Sequence, residues 1–547
     1  MMVQLLLLLK NKYYDYITII EKKKIIIYTK IQIKYSIKII KERNMLENLT
    51  QKLKSKNTIK YLIIFGITLF LCQNFLQMHY SSDTYVLYDL GYMEYPSQYF
   101  LLDGRLISTI VCYIGGILNL PIPVYIIGMN FLGIIFVATS IYLMDKILEK
   151  IIKPEKTITK LMLTASCFLL ILNQFTLEYL LFPESAVMCL GVLFNVIAVK
   201  LMVDNPKHKY LKIFLALLVA VFSYQGLLNM FPVLAILVYI VKEIMDKREY
   251  KVKEKEFFIE MIKLAIIVVV VLLISMVAIE VGKTLLNSDQ DRMIHLIDME
   301  AVMLRGETVL DYLDELWNET MYMLPSHINT IVLIVSFIML ILLKTKREII
   351  MQYILLLIVS FAICILPMFI FNTGVCGRVN EPLTMLWGAS LIIILAQSIT
   401  VPEGKITKFI YGFIIVSFII NNIFIMQNLT EHIASNRVEE NMGKTIKYAL
   451  EKYEEESGNK VTKFAYAYDR KPQQYAVGIK PIGSLTERKL ACSWSISQAM
   501  NFYCERKFEK VRMPTRIYVE NMIDKDYNEF TEDQLVFEGD TMYMLVY

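Results

Sequence analysis

The chain is poor in the residues that build most metal and redox sites. It has 5 histidines and 8 cysteines in 547 residues, and no His-x-x-His or Cys-x-x-Cys spacing, so a structural zinc site is not expected. Eight cysteines in this length make no disulfide framework. Cys72, Cys112, Cys167, Cys189 and Cys364 fall inside apolar stretches and read as small buried hydrophobes. Cys492 and Cys504 lie in a polar tail and could pair there if the tail is extracytoplasmic. The sequence lacks a phosphate-cradling glycine loop, solenoid-period repeats, and the paired broken helices of a two-fold transporter. The net charge of +5 is too mild to imply nucleic acid.

Apolar residues, in contrast, are abundant. They make up 56% of the chain, above the ~45–50% of an ordinary soluble domain, and mean hydropathy is +0.48. Stretches of membrane-spanning length recur from about residue 58 to about residue 426. Eleven cores are expected to span: 59–78, 124–144, 161–179, 185–203, 210–225, 227–241, 262–282, 328–343, 349–371, 383–399 and 407–426. Residues 1–44 are rich in Leu, Ile, Lys and Tyr without a clean signal-peptide cleavage site. Met45 opens a more ordinary beginning and is read as the natural start, with a flexible basic cytoplasmic tail as the alternative.

Lysine and arginine are unevenly shared among the connections. With residue 58 cytoplasmic, the inner connections carry 25 Lys and Arg and the outer ones 5, a strong positive-inside bias. This count decides the stretch 104–120. If it spanned, Lys146, Lys150, Lys153, Lys156 and Lys160 would fall outside and every later connection would invert. It is therefore expected to lie along the outer surface or re-enter the membrane. The tail changes character. Residues 438–456 have helical spacing, Lys463–Tyr468 and Thr515–Val519 read as strands, and Leu535–Tyr547 as a hairpin turning at Gly539–Asp540. The expected organisation is a basic cytoplasmic tail over 1–57, a transmembrane domain over 58–429 with a catalytic outer loop over 79–123, and a small extracytoplasmic α/β domain over 430–547.

The first outer connection is the most informative. Residues 79–105 hold four carboxylates, one arginine and six tyrosines. Other outer helix ends repeat the theme: Glu178 and Glu184 around Pro183, Tyr224-Gln225, Glu280, and Arg378 with Glu381. One such group at a helix end is commonly a side chain reaching for water. Gathered at one end of a bundle, they point to a shared cavity. A group-transfer enzyme with a lipid-phosphate donor needs a carboxylate to take the acceptor's proton, cations for the departing phosphate, and apolar walls for the lipid. Asp83 or Asp89 could supply the first and Arg105 with Arg378 the second. An active site on the outer face has no nucleotide supply, so its energy must arrive on a membrane carrier.

The order of these features resembles the membrane glucosyltransferases of the type II Gtr family and, more broadly, the GT-C glycosyltransferase superfamily. The resemblance covers roughly 58–426 and rests on Ser82-Asp83-Thr84 after the first span, Gly104-Arg105, Tyr224-Gln225 and the late outer Arg378. It implies a polytopic α-helical membrane protein of the plasma membrane, with a GT-C-like bundle of about eleven transmembrane helices. It also implies transfer of a hexose, with glucose the first choice, from a polyprenyl-phosphate carrier to a cell-surface polysaccharide such as O-antigen. Asp83 maps to the general base and Asp89 stands second. Arg105 and Arg378 would hold the donor phosphate, and Asp103, Glu184, Tyr224 and Gln225 would line the sugar or acceptor pocket. Relatives often carry a carboxylate doublet where this chain has Thr84 after Asp83, which argues against a metal-bound mechanism. No cofactor is expected, and a need for divalent metal is left open. The partners implied are the polyprenyl-phosphate-linked sugar donor, a surface glycan acceptor and the lipid bilayer. The rival readings are a transporter or flippase of lipid-linked glycan, which would want charges near the bilayer midplane, and a cell-wall glycan polymerase or ligase on the same carrier.

Overall fold

The computed structural model describes residues 55–246, 250–287, 327–370, 377–468, 485, 488–490, 492–523 and 530–546. The expectations about residues 1–44 lie outside these. The chain divides into a unit ending at Ile63 and a unit from Ile64 to Tyr547; the site and both cores below belong to the second.

The helices are α1 (Lys56–Leu71), α2 (Ser82–Pro96), α3 (Leu106–Ile117), α4 (Ile122–Ile152), α5 (Thr157–Ile171), α6 (Leu177–Leu181), α7 (Ser185–Asp204), α8 (Lys209–Ser223), α9 (Met230–Met245), α10 (Tyr250–Leu286), α11 (Ile328–Leu342), α12 (Arg347–Ile370), α13 (Glu381–Ile399) and α14 (Lys405–Ser457). Each of the eleven expected cores falls on a helix. By length and composition, seven helices among the described residues are able to cross a membrane: α4, α7, α9 with its preceding turn, α10, α12, α13 and α14.

The remaining four cores are shorter than expected, and the causes are local. The core at 161–179 breaks after Ile171, where Asn173 Oδ1 accepts the N–H groups of Phe175 (2.9 Å) and Thr176 (3.3 Å) and takes the backbone out of the helix. The core at 210–225 stops because Tyr224 is extended, at φ −165° and ψ 124°. The core at 59–78 ends its α-helix at Leu71 and continues as a 3₁₀ turn, and that at 328–343 is the 15-residue α11. Helix α3 has 12 residues, about 18 Å at 1.5 Å per residue, against a hydrocarbon core of about 30 Å.

Helix α13 is the central post, with 94% of its apolar window buried. Helix α10 is peripheral and shows Ile266, Val269, Leu273, Val277 and Val281 to the surroundings, as a lipid-facing helix does.

The tail corrects the sequence reading in three places. The helix expected at 438–456 is the end of α14, which runs unbroken for 53 residues through residue 430. Thr515–Asn521 is a helix, α16, not a strand. Five residues of alternating pattern fit either period, and Pro514 at the N-cap with the i,i+4 pair Arg516–Glu520 (3.3 Å) decides for helix. Cys492 and Cys504 are not joined by a disulfide. The strands β1 (Lys463–Tyr468), β2 (Glu509–Lys510), β3 (Leu535–Glu538) and β4 (Thr541–Val546) form one sheet in the order β2-β1-β4-β3. β1 runs parallel to both neighbours, with Lys463 opposite Thr541, and the expected hairpin pairs Glu538 with Thr541. Helix α15 (Ile496–Cys504) and the end of α14 cover the sheet.

Helix α2 belongs to two cores. Tyr85 packs into the tail core with Met442, Phe464 and Met500, and its hydroxyl lies 2.5 Å from that of Tyr503. Val86, Leu87 and Tyr95 pack into the bundle with Phe100, Cys112 and Tyr125. A buried polar seam ties the segment ahead of α2 to both sides. Ser185 Oγ donates to Asn130 Oδ1 (2.6 Å), Asn130 Nδ2 lies 2.7 Å from His79 Nε2, and His79 Nδ1 lies 3.1 Å from His432 Nε2. His432 Nδ1 lies 2.6 Å from the Leu485 carbonyl. A carbonyl only accepts, so His432 carries its proton on Nδ1 and His79 must also donate from Nδ1. Both rings are neutral and every polar atom in the seam has one role.

Candidate active site

Four connections bring the site residues together: 79–105, 173–184, 224–229 and 377–381. The first is shaped by caps and two glycines. Ser81 caps α2, its Oγ accepting the Thr84 N–H (3.3 Å), and Thr84 Oγ1 accepts the Ser81 N–H (3.1 Å). This reciprocal box gives Thr84 a structural role and puts Asp83 in the first turn, where the helix dipole favours a carboxylate. Gly91, at φ 75° and ψ 176°, breaks α2 so that Tyr95 turns back into the bundle. A widened π-type turn over Ser97–Leu101 follows, and Gly104, at φ 69°, ends it. A Cβ at Gly104 would lie 3.0 Å from Ile279 and 3.4 Å from the Gln225 amide nitrogen, so the position is both left-handed and crowded. The Arg105 N–H then donates to the Phe100 carbonyl (2.8 Å), which sets the arginine at the start of α3.

Arg105 pairs with Asp103 (3.0 Å) and stands 3.8 Å from Glu184, and its guanidinium lies over the Tyr224 ring at 4.9 Å. Gln225 Nε2 donates to the Asp103 carbonyl. Arg378 reaches the same tyrosine, its Nε donating to Tyr224 Oη (3.1 Å). Its backbone N–H donates to Glu178 Oε2 (3.0 Å), its carbonyl accepts from Tyr179 Oη (2.7 Å), and its guanidinium lies 4.7 Å from the Phe182 ring. Two guanidinium groups are thus held around one phenol, close enough to repel each other. Such a pair is costly alone and favourable around a dianion.

Glu184 is 1% exposed, and neither of its carboxylate oxygens accepts a hydrogen bond from another described residue. It occupies the N-cap position of α7, with no capping hydrogen bond from its side chain. Burial, and then the nearby charge of Asp83, push its carboxyl well above the usual range, with Arg105 and Arg378 opposing. Asp83, Arg105 and Arg378 therefore all act on one buried carboxylate.

Seven of the eight site residues proposed from sequence come together here: Asp83, Asp103, Arg105, Glu184, Tyr224, Gln225 and Arg378. Asp89 does not join them. It accepts a hydrogen bond from Asn501 (3.1 Å) and so faces the tail. Sequence reading did not single out Tyr95 or Phe182. Nothing in the local pattern distinguishes Tyr95 from the five other tyrosines of its loop. Among the described residues no group of three or more His, Cys, Asp or Glu is placed to hold a metal ion.

The fold and the site define a polytopic helical membrane protein whose buried arginines and carboxylates meet at helix connections. The family model described as Glucosyl transferase GtrII matches residues 104–394, more than half of the chain, and the protein belongs to that family of glycosyltransferases. The matched stretch contains Arg105, Glu184, Tyr224, Gln225 and Arg378; Asp103 lies immediately ahead of it, and Asp83 lies further upstream. No curated protein matches the chain.

Proposed function

We propose that the protein transfers a glucosyl residue from a polyprenyl-phosphate carrier to a surface glycan at the outer face of the plasma membrane. The observation that supports this most is the clamp of Arg105 and Arg378 around Tyr224, with the Asp83 and Glu184 carboxylates beside it. A phosphate seated between the arginines leaves its glycosidic carbon facing the carboxylates. The acceptor hydroxyl oxygen bonds to the anomeric carbon as that carbon's bond to the phosphate oxygen breaks. The phosphate leaves with the electron pair, neutralised by the arginines, and the hydroxyl proton passes to Asp83. The apolar faces of the bundle take the lipid tail, and the tail domain beyond residue 430 lies on the acceptor's side of the membrane.

The test is transfer of radiolabelled glucose from polyprenyl phosphate by the purified protein with a surface-glycan acceptor. Asp83→Asn is expected to lower turnover by about 10²–10⁴-fold while the protein remains folded in the membrane. Wild-type turnover in Asp83→Asn would remove Asp83 from the mechanism. Movement of intact lipid-linked glycan across proteoliposomes without release of polyprenyl phosphate would replace the transferase reading by the flippase one.

A further inference from the structure

Several buried polar atoms at this site make no hydrogen bond among the described residues. Tyr95 is 1% exposed, and its buried hydroxyl is one of them. Both Glu184 oxygens and Arg105 Nε are others, Glu184 meeting Arg105 only at the 3.8 Å ion-pair distance. The three residues are neighbours: the Tyr95 ring lies 4.8 Å from that of Phe100, whose carbonyl accepts the Arg105 N–H (2.8 Å), and Tyr95 shares a buried cluster with Ala186, two residues after Glu184. A buried polar group without a partner costs about 1–3 kcal/mol, and folded proteins keep few of them. Three on one wall, beside the arginine clamp, mark a surface built for something that brings its own donors and acceptors.

The chemistry of the wall is specific. A neutral phenol offers one donor, and a carboxylate offers acceptors only or, when protonated, one donor as well. A sugar hydroxyl needs one donor to its oxygen and one acceptor for its proton. The Tyr95 ring is fixed by Phe100 at 4.8 Å and Tyr99 at 5.6 Å, so its hydroxyl is aimed rather than swinging. Arg105 and Asp103, with side chains 16% and 12% exposed, are the open members of the group, and Glu184 stands 3.8 Å behind the arginine.

We propose that Tyr95 is a specificity-determining residue: its hydroxyl donates to one ring hydroxyl of the transferred hexose, which in turn donates to Glu184. This rests on the glucosyl-transfer reading above. It assigns to Tyr95 and Glu184 the recognition of the sugar, and leaves the phosphate to the arginines.

The test compares polyprenyl-phosphate glucose with its 2-, 3-, 4- and 6-deoxy analogues as donors, for wild type and Tyr95→Phe. The substitution removes one oxygen and keeps both ring contacts. Wild type is expected to prefer glucose over one deoxy analogue by about 10- to 100-fold in kcat/KM. In Tyr95→Phe that preference is expected to fall to within about threefold, with the ratios at the other positions unchanged. A uniform loss across all donors, or unchanged ratios at every position, overturns the proposal while leaving glucosyl transfer intact. A wild-type protein inert with every polyprenyl-linked hexose overturns the transfer reading and this one with it. If Tyr95→Phe does not accumulate in the membrane, Glu184→Met, which removes the acceptor at similar size, carries the same comparison at the same ring position.

Discussion

At the scale of single residues, the most informative side chain is Glu184. It is buried beside two arginines and another carboxylate, with its proton affinity raised by burial first and Asp83 second. The sign of the consequence follows from linkage. In the unfolded chain this carboxyl releases its proton near ~4.3, whereas in the folded chain it keeps it to higher pH. Between those limits the folded state binds more protons than the unfolded one. Stability contributed by this group is therefore full at acid pH and is lost as pH rises above the unfolded value. Glu184→Gln cannot titrate and is expected to flatten the fall in melting temperature of the detergent-solubilised protein between about pH 5 and pH 8. A variant as pH-dependent as wild type would show that Glu184 is ionised throughout. His79 has the opposite sign. Burial, then the charge of Lys489, lower its pKa to about 3, so the seam it shares with His432 favours folding above the histidine's ordinary range and loses that contribution in acid.

At the scale of elements, the site depends on short breaks more than on long helices. The connection from Gly91 to Arg105 contains a left-handed kink, a π-type turn and a second left-handed glycine within fifteen residues. Each feature re-aims the chain, and together they deliver Tyr95, Asp103 and Arg105 to one place. Gly104→Ala is the sharpest probe. It places a Cβ in a left-handed conformation that costs about 1 kcal/mol, and against Ile279 and Gln225. The expected result is a melting temperature lower by about 1–2 degrees and a larger loss of transfer, because Arg105 is displaced from Tyr224. Transfer at the wild-type rate would show that the 101–105 turn does not position the site.

These breaks are also where the sequence was hardest to read. The long apolar runs declare themselves, and each of the eleven cores falls on a helix. Lengths were overread where a polar residue inside an apolar run captures the backbone, as Asn173 does. Thr515–Asn521 misled because five residues cannot separate period 2 from period 3.6. The convergence of seven candidate residues was legible because charge at helix ends is rare enough to stand out. Tyr95 was not, since what marks it is a buried hydroxyl without a hydrogen bond among the described residues, and no sequence pattern carries that. Asp89 lies apart from the others because two carboxylates six residues apart on α2 face different sides, and Asp89 faces Asn501.

At the scale of the whole molecule, α2 joins the bundle to the tail. Its buried aromatic residues serve both cores, and the histidine seam fastens the segment ahead of it to α14 and Leu485. The loop that bears the proposed base is therefore held on two sides, which suits a site that must be pre-organised for transfer. The family match supplies the class of reaction, and the arginine clamp supplies the proposed place for the carrier phosphate. The most direct measurement of that central claim is photolabelling of the membrane-embedded protein by a polyprenyl phosphate with a diazirine beside the phosphate, with the labelled peptides mapped by mass spectrometry. The account predicts label confined to the stretches around Arg105, Phe182, Tyr224 and Arg378, and suppressed by excess unlabelled polyprenyl phosphate. Label spread over the lipid-facing side of α10, with none at those four stretches, would contradict it.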